Sequence, residues 1–374
     1  MNILFLGSFI PDKYAEEFEE LSAAANQFQY NLYNALSKNH RVHAVCYLPI
    51  HLGIISDEIY DCLSKENIDV FLPKERNTLS EFYRIRREIK ILEKTVDCII
   101  AYNVQYPWLN IRCKVPKTLI LADYTPVDEE KFIKKPYSYF IRKSFKKYDK
   151  MVILSEGSKK YVNPVQECEV IHGCIRWENF QYFCKPIVDE NIVFFYSGVL
   201  NCVTGVDLLL RAFIKTKDRN YRLILCGQGN DLNKQIHKAV ENDPRILFMG
   251  YVSKKKYLQL LEKASIVINP RNMNYEQNKY NFPSKILEYL ASGRTIVSTK
   301  FYGWREFQEY IEFVEPNVED LYCGMKRAAD QFRSTGINTF KKNRKFAQNL
   351  TWDEYKDKFL PFVQGDSEST KIID

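Results

Sequence analysis

Histidine is scarce in this sequence: five in 374 residues, at 40, 43, 51, 172 and 237, with no spacing typical of a zinc site. The ten cysteines contain no Cys-x-x-Cys pair, and several lie in apolar runs such as "RVHAVCYLPI" and "YRLILCGQG". They read as buried free thiols of a reducing compartment, not as a disulfide framework or a metal centre. No apolar run approaches the ~20 residues of a membrane-spanning helix, so membrane contact is peripheral at most. The opening "MNILFLGSFIP" is too short for a signal core, lacks a cleavage site, and reads as a buried first strand. Short-period repeats and low-complexity tracts are absent, and only the tail "GDSESTKIID" reads as disordered. Excess charge is also small, +7 from 54 basic and 47 acidic residues. That balance suits an anionic small molecule or a membrane surface and argues against nucleic acid as a partner.

What is present is regular. A chain of this length calls for two domains. Strand-like runs at "NILFLGS", "RVHAVCYL", "DVFLP", "CIIAYN", "TLILADY", "KMVILS" and "CEVIHG" alternate with helical stretches such as "AAANQFQYNLYNALSKN" and "LSEFYRIRREIKILEKT". The pattern restarts at "NIVFFYSGVL" and runs through "GVDLLLRAFIKT", "YRLILCGQGN", "ILFMGYV", "KKKYLQLLEKA", "SIVINPR" and "TIVST". Alternation of this kind predicts parallel sheets with helices on both faces. We expect an α/β chain with a Rossmann-like domain over 1–180, a linker at "RWENFQYFCKPIVDE", a second Rossmann-like domain over 190–345, and a C-terminal helix over 346–365 that returns to the first domain. Two doubly wound domains place a ligand cleft at the C-terminal edges of their sheets.

The stretch "NPRNMNYEQNKYNFPSKILEYLASGRTIVST", residues 269–299, carries the most chemistry. Pro283 suits the first turn of a helix, Asn281 suits its cap, and Gly293 ends it. The amides near Ser284, Lys285 and Ile286 then point from the sheet edge with the helix dipole behind them, which makes an anion site. Arg271 ends the preceding strand with a fork suited to phosphate, and Lys285 adds a second charge. Glu288 follows on the same face, where a ribose diol would give it hydroxyl donors. Together these residues form a receptor for a nucleoside diphosphate; the alternative is a surface ion pair between Arg271 and Glu288.

This stretch resembles the nucleotide-binding segment of GT-B glycosyltransferases of family 4, in particular the branch of bacterial exopolysaccharide and capsule synthesis. The shared pattern is Asn-Pro-Arg, Tyr-x-Phe-Pro-Ser-Lys and Glu-Tyr-x-x-Ser-Gly. "YSGVLNCVTGVDLLLRAF", "LILCGQGN", "ILFMGYVSKKKYLQLLEKASIVINPR" and "AAANQFQYNLYNAL" extend the likeness over nearly the whole chain. The resemblance implies the GT-B fold, two Rossmann-like domains facing each other across a cleft. It implies that Glu288 binds ribose, that Arg271 and Lys285 serve the diphosphate together with the Phe282, Pro283 and Ser284 segment, and that Gly227, Gly229, Gly250 and Tyr251 border the nucleotide. Gly198 would lie close to the donor phosphates. Two departures stand out. Tyr280 occupies the place of the first of two family glutamates, with Glu276 as a substitute near the donor sugar. Val199 and Thr204 occupy the places of a basic pair, whose charge Arg271 would supply.

No Asp-x-Asp occurs, so backbone amides with Arg271 and Lys285 are expected to neutralise the departing diphosphate without a metal or other cofactor. The resemblance implies retention of anomeric configuration, with a nucleotide sugar, by default a UDP-sugar, as donor. The acceptor, a polysaccharide or a polyprenyl-diphosphate-linked sugar, belongs to the first domain. There Gly7, Ser8, Asn26 and Gln27 face the cleft, and Asp123 in "LILADYTP" either orients the acceptor hydroxyl or serves as a turn or cap residue. Ser155 and Glu156 read as a helix cap. Residues 131–150 hold eight basic residues and one acid, interleaved with aromatics. This segment is either an anionic-membrane contact or a solvated helix face. The location that follows is cytoplasmic, peripheral on the inner face of the cell membrane. Two other readings are a non-catalytic nucleotide-sugar-binding scaffold and a UDP-sugar 2-epimerase of the same architecture.

Overall fold

The computed structural model describes residues 1–15, 22–48, 57–71, 78–103, 113–122, 135–162, 165–229 and 232–361. Asp123, residues 131–134 of the basic segment and the tail from 362 lie outside the described residues. The chain divides into two compact units: Met1–His172 with Trp352–Asp374, and Gly173–Thr351.

In the first unit β1 (Asn2–Gly7), β2 (Arg41–Tyr47), β3 (Ile68–Phe71), β4 (Cys98–Tyr102), β5 (Lys117–Leu121), β6 (Lys150–Ile153) and β7 (Glu167–Val170) form a parallel sheet in the order β3-β2-β1-β4-β5-β6-β7. The chain reverses direction across the sheet between β1 and β4, the switch point of a doubly wound fold. Helices α1 (Asp12–Ala15), α2 (Ala23–Ser37), α3 (Asp57–Lys65), α4 (Thr78–Leu92) and α5 (Lys135–Phe145) connect the strands. Strands β4 and β5 are buried at every position, as the continuous apolar runs "CIIAY" and "TLIL" require of strands covered on both faces. Ile85 and Ile89 of α4 and Phe145 of α5 pack into one cluster with Leu4, Leu6, Ile99 and Leu119, so both helices cover the same face.

In the second unit β8 (Ile192–Ser197), β9 (Tyr221–Cys226), β10 (Ile246–Phe248), β11 (Ile266–Asn269), β12 (Thr295–Thr299) and β13 (Glu312–Val314) form a parallel sheet ordered β10-β9-β8-β11-β12-β13, with its switch point between β8 and β11. Helices α6 (Val206–Lys215), α7 (Asn233–Asn242), α8 (Lys254–Lys263) and α9 (Lys285–Ser292) connect these strands.

The end of the chain departs from the expectation of a helix over 346–365. Helix α10 (Val318–Gln348) runs unbroken for 31 residues and belongs to the second unit. It is followed by the single turn α11 (Trp352–Tyr355) and a 3-10 turn, Lys356–Phe359. Trp352 and Phe359 pack edge-on against Phe28 of α2, with ring centroids 5.1 and 6.0 Å away, which seats this last segment in the first unit. The "RWENFQYFCKPIVDE" segment is stapled within the second unit, where Arg344 donates to the carbonyl of Phe180 (2.7 Å) and buried Arg294 to that of Cys184 (3.2 Å).

The cysteine expectation holds in part: all ten are free, but only Cys46, Cys98 and Cys226 are buried, and Cys168 and Cys184 are exposed. Burial pushes the Cys46 and Cys98 thiols up to about 12, which leaves them unreactive.

Candidate functional site

Three glycine-bearing loops leave the C-terminal ends of β8, β9 and β10 in the second unit. They bond to one another through backbone alone: Gly198 N–H donates to Cys226 O (3.1 Å), Leu200 N–H to Gln228 O (3.1 Å) and Gly227 N–H to Gly250 O (2.8 Å). Gly227 has φ 139°, and a Cβ there would lie 1.8 Å from the carbonyl oxygen of Gly198, so only glycine fits. Gly229 is less tightly held, with 2.6 Å from an added Cβ to the carbonyl oxygen of Leu200. Tyr251 is 75% exposed at the rim.

The loop at Val199 and Thr204, where the resemblance leads one to expect a basic pair, folds back on itself. Tyr196 Oη and Thr204 Oγ1 each donate to Val199 O at 2.7 Å. Gly205, at φ 76°, places this loop against the next strand's exit, since a Cβ there would meet Pro270 O at 1.8 Å. Arg271 therefore leaves β11 beside the loop that lacks the pair. Its carbonyl accepts from Thr299 Oγ1 (2.6 Å), and Nη1 approaches Asn281 O at 3.4 Å. Burial pushes the Tyr196 phenol up to about 12, and its bond with Thr204 and the charge of Arg271 oppose that rise.

Helix α9 starts later than the sequence suggested. Ser284 is its N-cap, in helical conformation and without a side-chain capping bond, and Asn281 does not cap it. Asn281 Oδ1 is instead buried without a hydrogen-bond partner. The amide of Ile286 is already used, donating to Pro283 O (2.9 Å), as Leu287 N–H does to Ser284 O (3.2 Å). The 3-10 tightening of the first turn thus removes Ile286 from the expected anion-binding amides and leaves those of Ser284 and Lys285. Phe282 is 8% exposed and packs against Phe301 and Phe307 at 5.3 and 5.8 Å. Its ring anchors the backbone of Pro283–Lys285.

Glu288, in the first turn of α9, accepts from Tyr257 Oη and from Lys285 Nζ (3.2 Å). Its partners are these two, so the alternative of an ion pair with Arg271 is not what forms. Tyr257, on α8, is the residue that sequence reasoning missed; it lies in the lysine-rich "KKKYLQLLEK", where only helical spacing marks it as inward-facing. Lys285 Nζ also lies 4.1 Å from the centre of the Tyr257 ring. Burial first, and the Glu288 carboxylate second, raise the Tyr257 phenol well above its ordinary value, which keeps it a hydrogen-bond donor. Tyr280, in the place of the family's first glutamate, is buried and donates to Glu276 Oε1 (2.7 Å), and Lys279 pairs with the same carboxylate. Asn278 closes the loop by donating to Val203 O (2.8 Å) and Asn272 O (2.7 Å).

In the first unit the loop after β1 is fixed by side-chain amides. Asn26 Oδ1 accepts from Ile10 N–H and Nδ2 donates to Ile10 O, both at 2.9 Å, and Gln29 does the same for Ser8 at 2.8 and 3.1 Å. Asn26 is 1% exposed, so the expectation that it faces a ligand is corrected: its side chain is fully used by the loop. Gln29 was not anticipated. Ser155 accepts from Gly157 N–H (3.3 Å) and caps a 3-10 turn, as expected of a cap.

Residues 191–330, inside the second unit, match the family model described as "Glycosyl transferases group 1". No curated protein matches the chain by sequence. Over 96% of its length the chain is similar in structure to HepE of Anabaena in complex with UDP, with 98% of that chain covered, 15% identity and a TM-score of 0.70. Similar figures hold for the N-terminal domain of Candida albicans trehalose-6-phosphate phosphatase (96% and 95% covered, 12% identity, TM-score 0.72). They also hold for sucrose-phosphate synthase from Thermosynechococcus elongatus (96% and 97% covered, 14% identity, TM-score 0.69). Identities this low carry the fold, which is GT-B. The glycosyltransferase likeness in sequence lies in the second unit, where the group 1 match falls.

Proposed function

We propose that the chain is a retaining, metal-independent glycosyltransferase that moves a sugar from a UDP-sugar to a polysaccharide or lipid-linked oligosaccharide of the exopolysaccharide or capsule type. The observation that carries this reading is Glu288, held by Tyr257 and Lys285 in the first turn of α9. A carboxylate fixed beside an anion-binding helix start suits a ribose diol, and Arg271 and Lys285 suit the diphosphate. Gly198, Gly227, Gly229, Gly250 and Tyr251 border the nucleotide. HepE has been solved with UDP and glucose and with UDP-glucose, which favours a uridine donor by analogy of fold.

In this mechanism the bond from the anomeric carbon to the diphosphate oxygen breaks, and the charge that develops there meets Arg271, Lys285 and the amides of Ser284 and Lys285. The acceptor hydroxyl attacks the same face of the sugar and gives its proton to the departing phosphate. The donor is a substrate, and no cofactor enters. Asp123 would orient the acceptor hydroxyl from the first unit. Because Arg271 leaves its strand beside the Val199–Thr204 loop, it supplies the charge of the absent basic pair.

No helix among the described residues is long and apolar enough to cross a membrane. On α5 Tyr139 is 58% exposed and Arg142 and Lys143 are exposed, which supports peripheral contact with anionic lipid on the cytoplasmic face.

The test is a thermal-shift series with UDP, GDP, ADP and their common sugars, each with and without EDTA. Stabilisation by uridine nucleotides that EDTA leaves unchanged is the expected result; stabilisation that EDTA removes would end the metal-independent reading. Glu288→Ala should weaken UDP binding by about 1–3 kcal/mol through the loss of charge-assisted hydrogen bonds. Unchanged affinity would remove Glu288 from the ribose.

A further inference from the structure

The opposite edge of the second sheet holds a pocket that glycosyl transfer leaves unused. Strands β9 and β10 begin at Tyr221 and Ile246, and residues just before and at these starts line an open cavity of about 310 Å³: Arg219, Arg222, Asp243, Pro244 and Arg245. The six residues of β9 separate this edge from Gly227 by about 20 Å at ~3.3 Å per residue.

The charges in the pocket do not cancel. Asp243 is taken by Arg245, whose Nε and Nη2 donate to Oδ1 (2.9 Å) and Oδ2 (2.7 Å) as a bidentate pair. That pairing holds the Asp243 carboxyl below its usual range. Arg245 is further fixed by Asp218 O (2.9 Å) and Thr216 Oγ1 (3.2 Å). The other nearby acid, Asp218, accepts from Asn220 N–H (2.9 Å) and lies 3.6 Å from Arg333. Arg219 and Arg222 have no carboxylate partner among the described residues. Arg222 Nη1 donates to two backbone carbonyls, Arg219 O (2.6 Å) and Tyr221 O (2.9 Å), which orient the guanidinium without neutralising it. Two planar cationic forks therefore border one cavity, one of them oriented in advance.

We propose that this pocket is a second anion site, which takes a phosphate-class oxyanion between Arg219 and Arg222: inorganic diphosphate or the phosphoryl group of a small phosphorylated molecule. Guanidinium forks match the tetrahedral oxygens of such a group two at a time, and orientation in advance lowers the ordering cost of binding. The neutral Asp243–Arg245 pair forms one wall and adds no repulsion.

The experiment is calorimetric titration of inorganic diphosphate into variants of the full chain. Arg271→Ala/Lys285→Ala removes the charges of the proposed nucleotide site, and diphosphate binding should survive it. Adding Arg219→Ala/Arg222→Ala to that variant changes only exposed side chains, and the remaining binding should weaken by about a hundredfold, near tenfold for each charge-assisted fork. Arg222→Lys, which keeps the charge and loses the fork, should fall between. A phosphorylated sugar titrated in parallel tells the bound phosphoryl group from free diphosphate, and either ligand supports the site. Diphosphate binding that the added Arg219→Ala/Arg222→Ala changes leave intact, or that is already absent in Arg271→Ala/Lys285→Ala, overturns the proposal. UDP affinity measured on the same variants reports separately on the nucleotide site.

Discussion

The loops that follow the central strands are built differently in the two units. After β1 of the first unit, Asn26 and Gln29 reach from α2 and take up both the N–H and the carbonyl of Ile10 and Ser8. After β8, β9 and β10 of the second, the loops bond directly to each other through Gly198, Gly227 and Gly250. Side-chain clamps fix a loop but fill the space above it. Glycines bring backbones into contact and leave that space open, which is what a diphosphate needs to approach a chain closely. The glycine-lined loops of the second unit thus suit the proposed diphosphate site, and the clamped loop of the first unit does not.

The comparison is broken most severely at Gly227. Gly227→Ala drives a Cβ into the Gly198 carbonyl at 1.8 Å from a backbone at φ 139°. A loss of about 3 kcal/mol or more is expected in chemical denaturation, and wild-type stability would show that the loops do not pack as described. Asn26→Ala, the matching change in the first unit, strands two buried backbone groups of Ile10 and should cost about 2–3 kcal/mol. Hydrogen exchange should locate that loss in the first unit, with UDP affinity unchanged; weakened UDP binding would contradict the division of roles. Gly250→Ala separates backbone conformation from crowding. It has φ 63° but open space around the added Cβ, so about 1 kcal/mol is expected. A loss as large as that of Gly227→Ala would mean that the crowding argument is wrong.

The central strands were legible because they are largely buried and read as apolar runs; "NILFLG" and "RVHAVCY" match β1 and β2 almost to the residue, whereas the three-residue, half-buried β13 was not anticipated. Helix α10 was not legible, because its buried Leu321, Met325, Phe332 and Phe340 are separated by small or polar buried residues, Gly324, Gly336, Thr339 and Asn343, which dilute the apolar stripe. At the candidate site the motif supplied Arg271, Lys285 and Glu288, since residues near each other along the chain fix a helix start. Tyr257 lies 31 positions before Glu288 and meets it only through packing of α8 beside α9. No local pattern carries that contact. Asn281 was misjudged for a related reason: its type favours a cap, but the tightened first turn moved the cap to Ser284.

The finest test concerns that non-local contact. Tyr257→Phe removes one hydroxyl and keeps the ring over which Lys285 lies at 4.1 Å and which meets Phe195 at 6.0 Å. Glu288 then retains Lys285 alone, so UDP affinity should fall by about 0.5–1.5 kcal/mol, the net value of one hydrogen bond. Because burial and Glu288 hold the phenol well above its ordinary range, it stays protonated at neutral pH. The wild-type affinity should therefore show no step from Tyr257 between about pH 6 and 9, a window below the ordinary phenol value. Equal affinities in Tyr257→Phe and wild type would mean that Lys285 suffices to orient Glu288, and the second unit's receptor would then rest on α9 and its preceding loop alone.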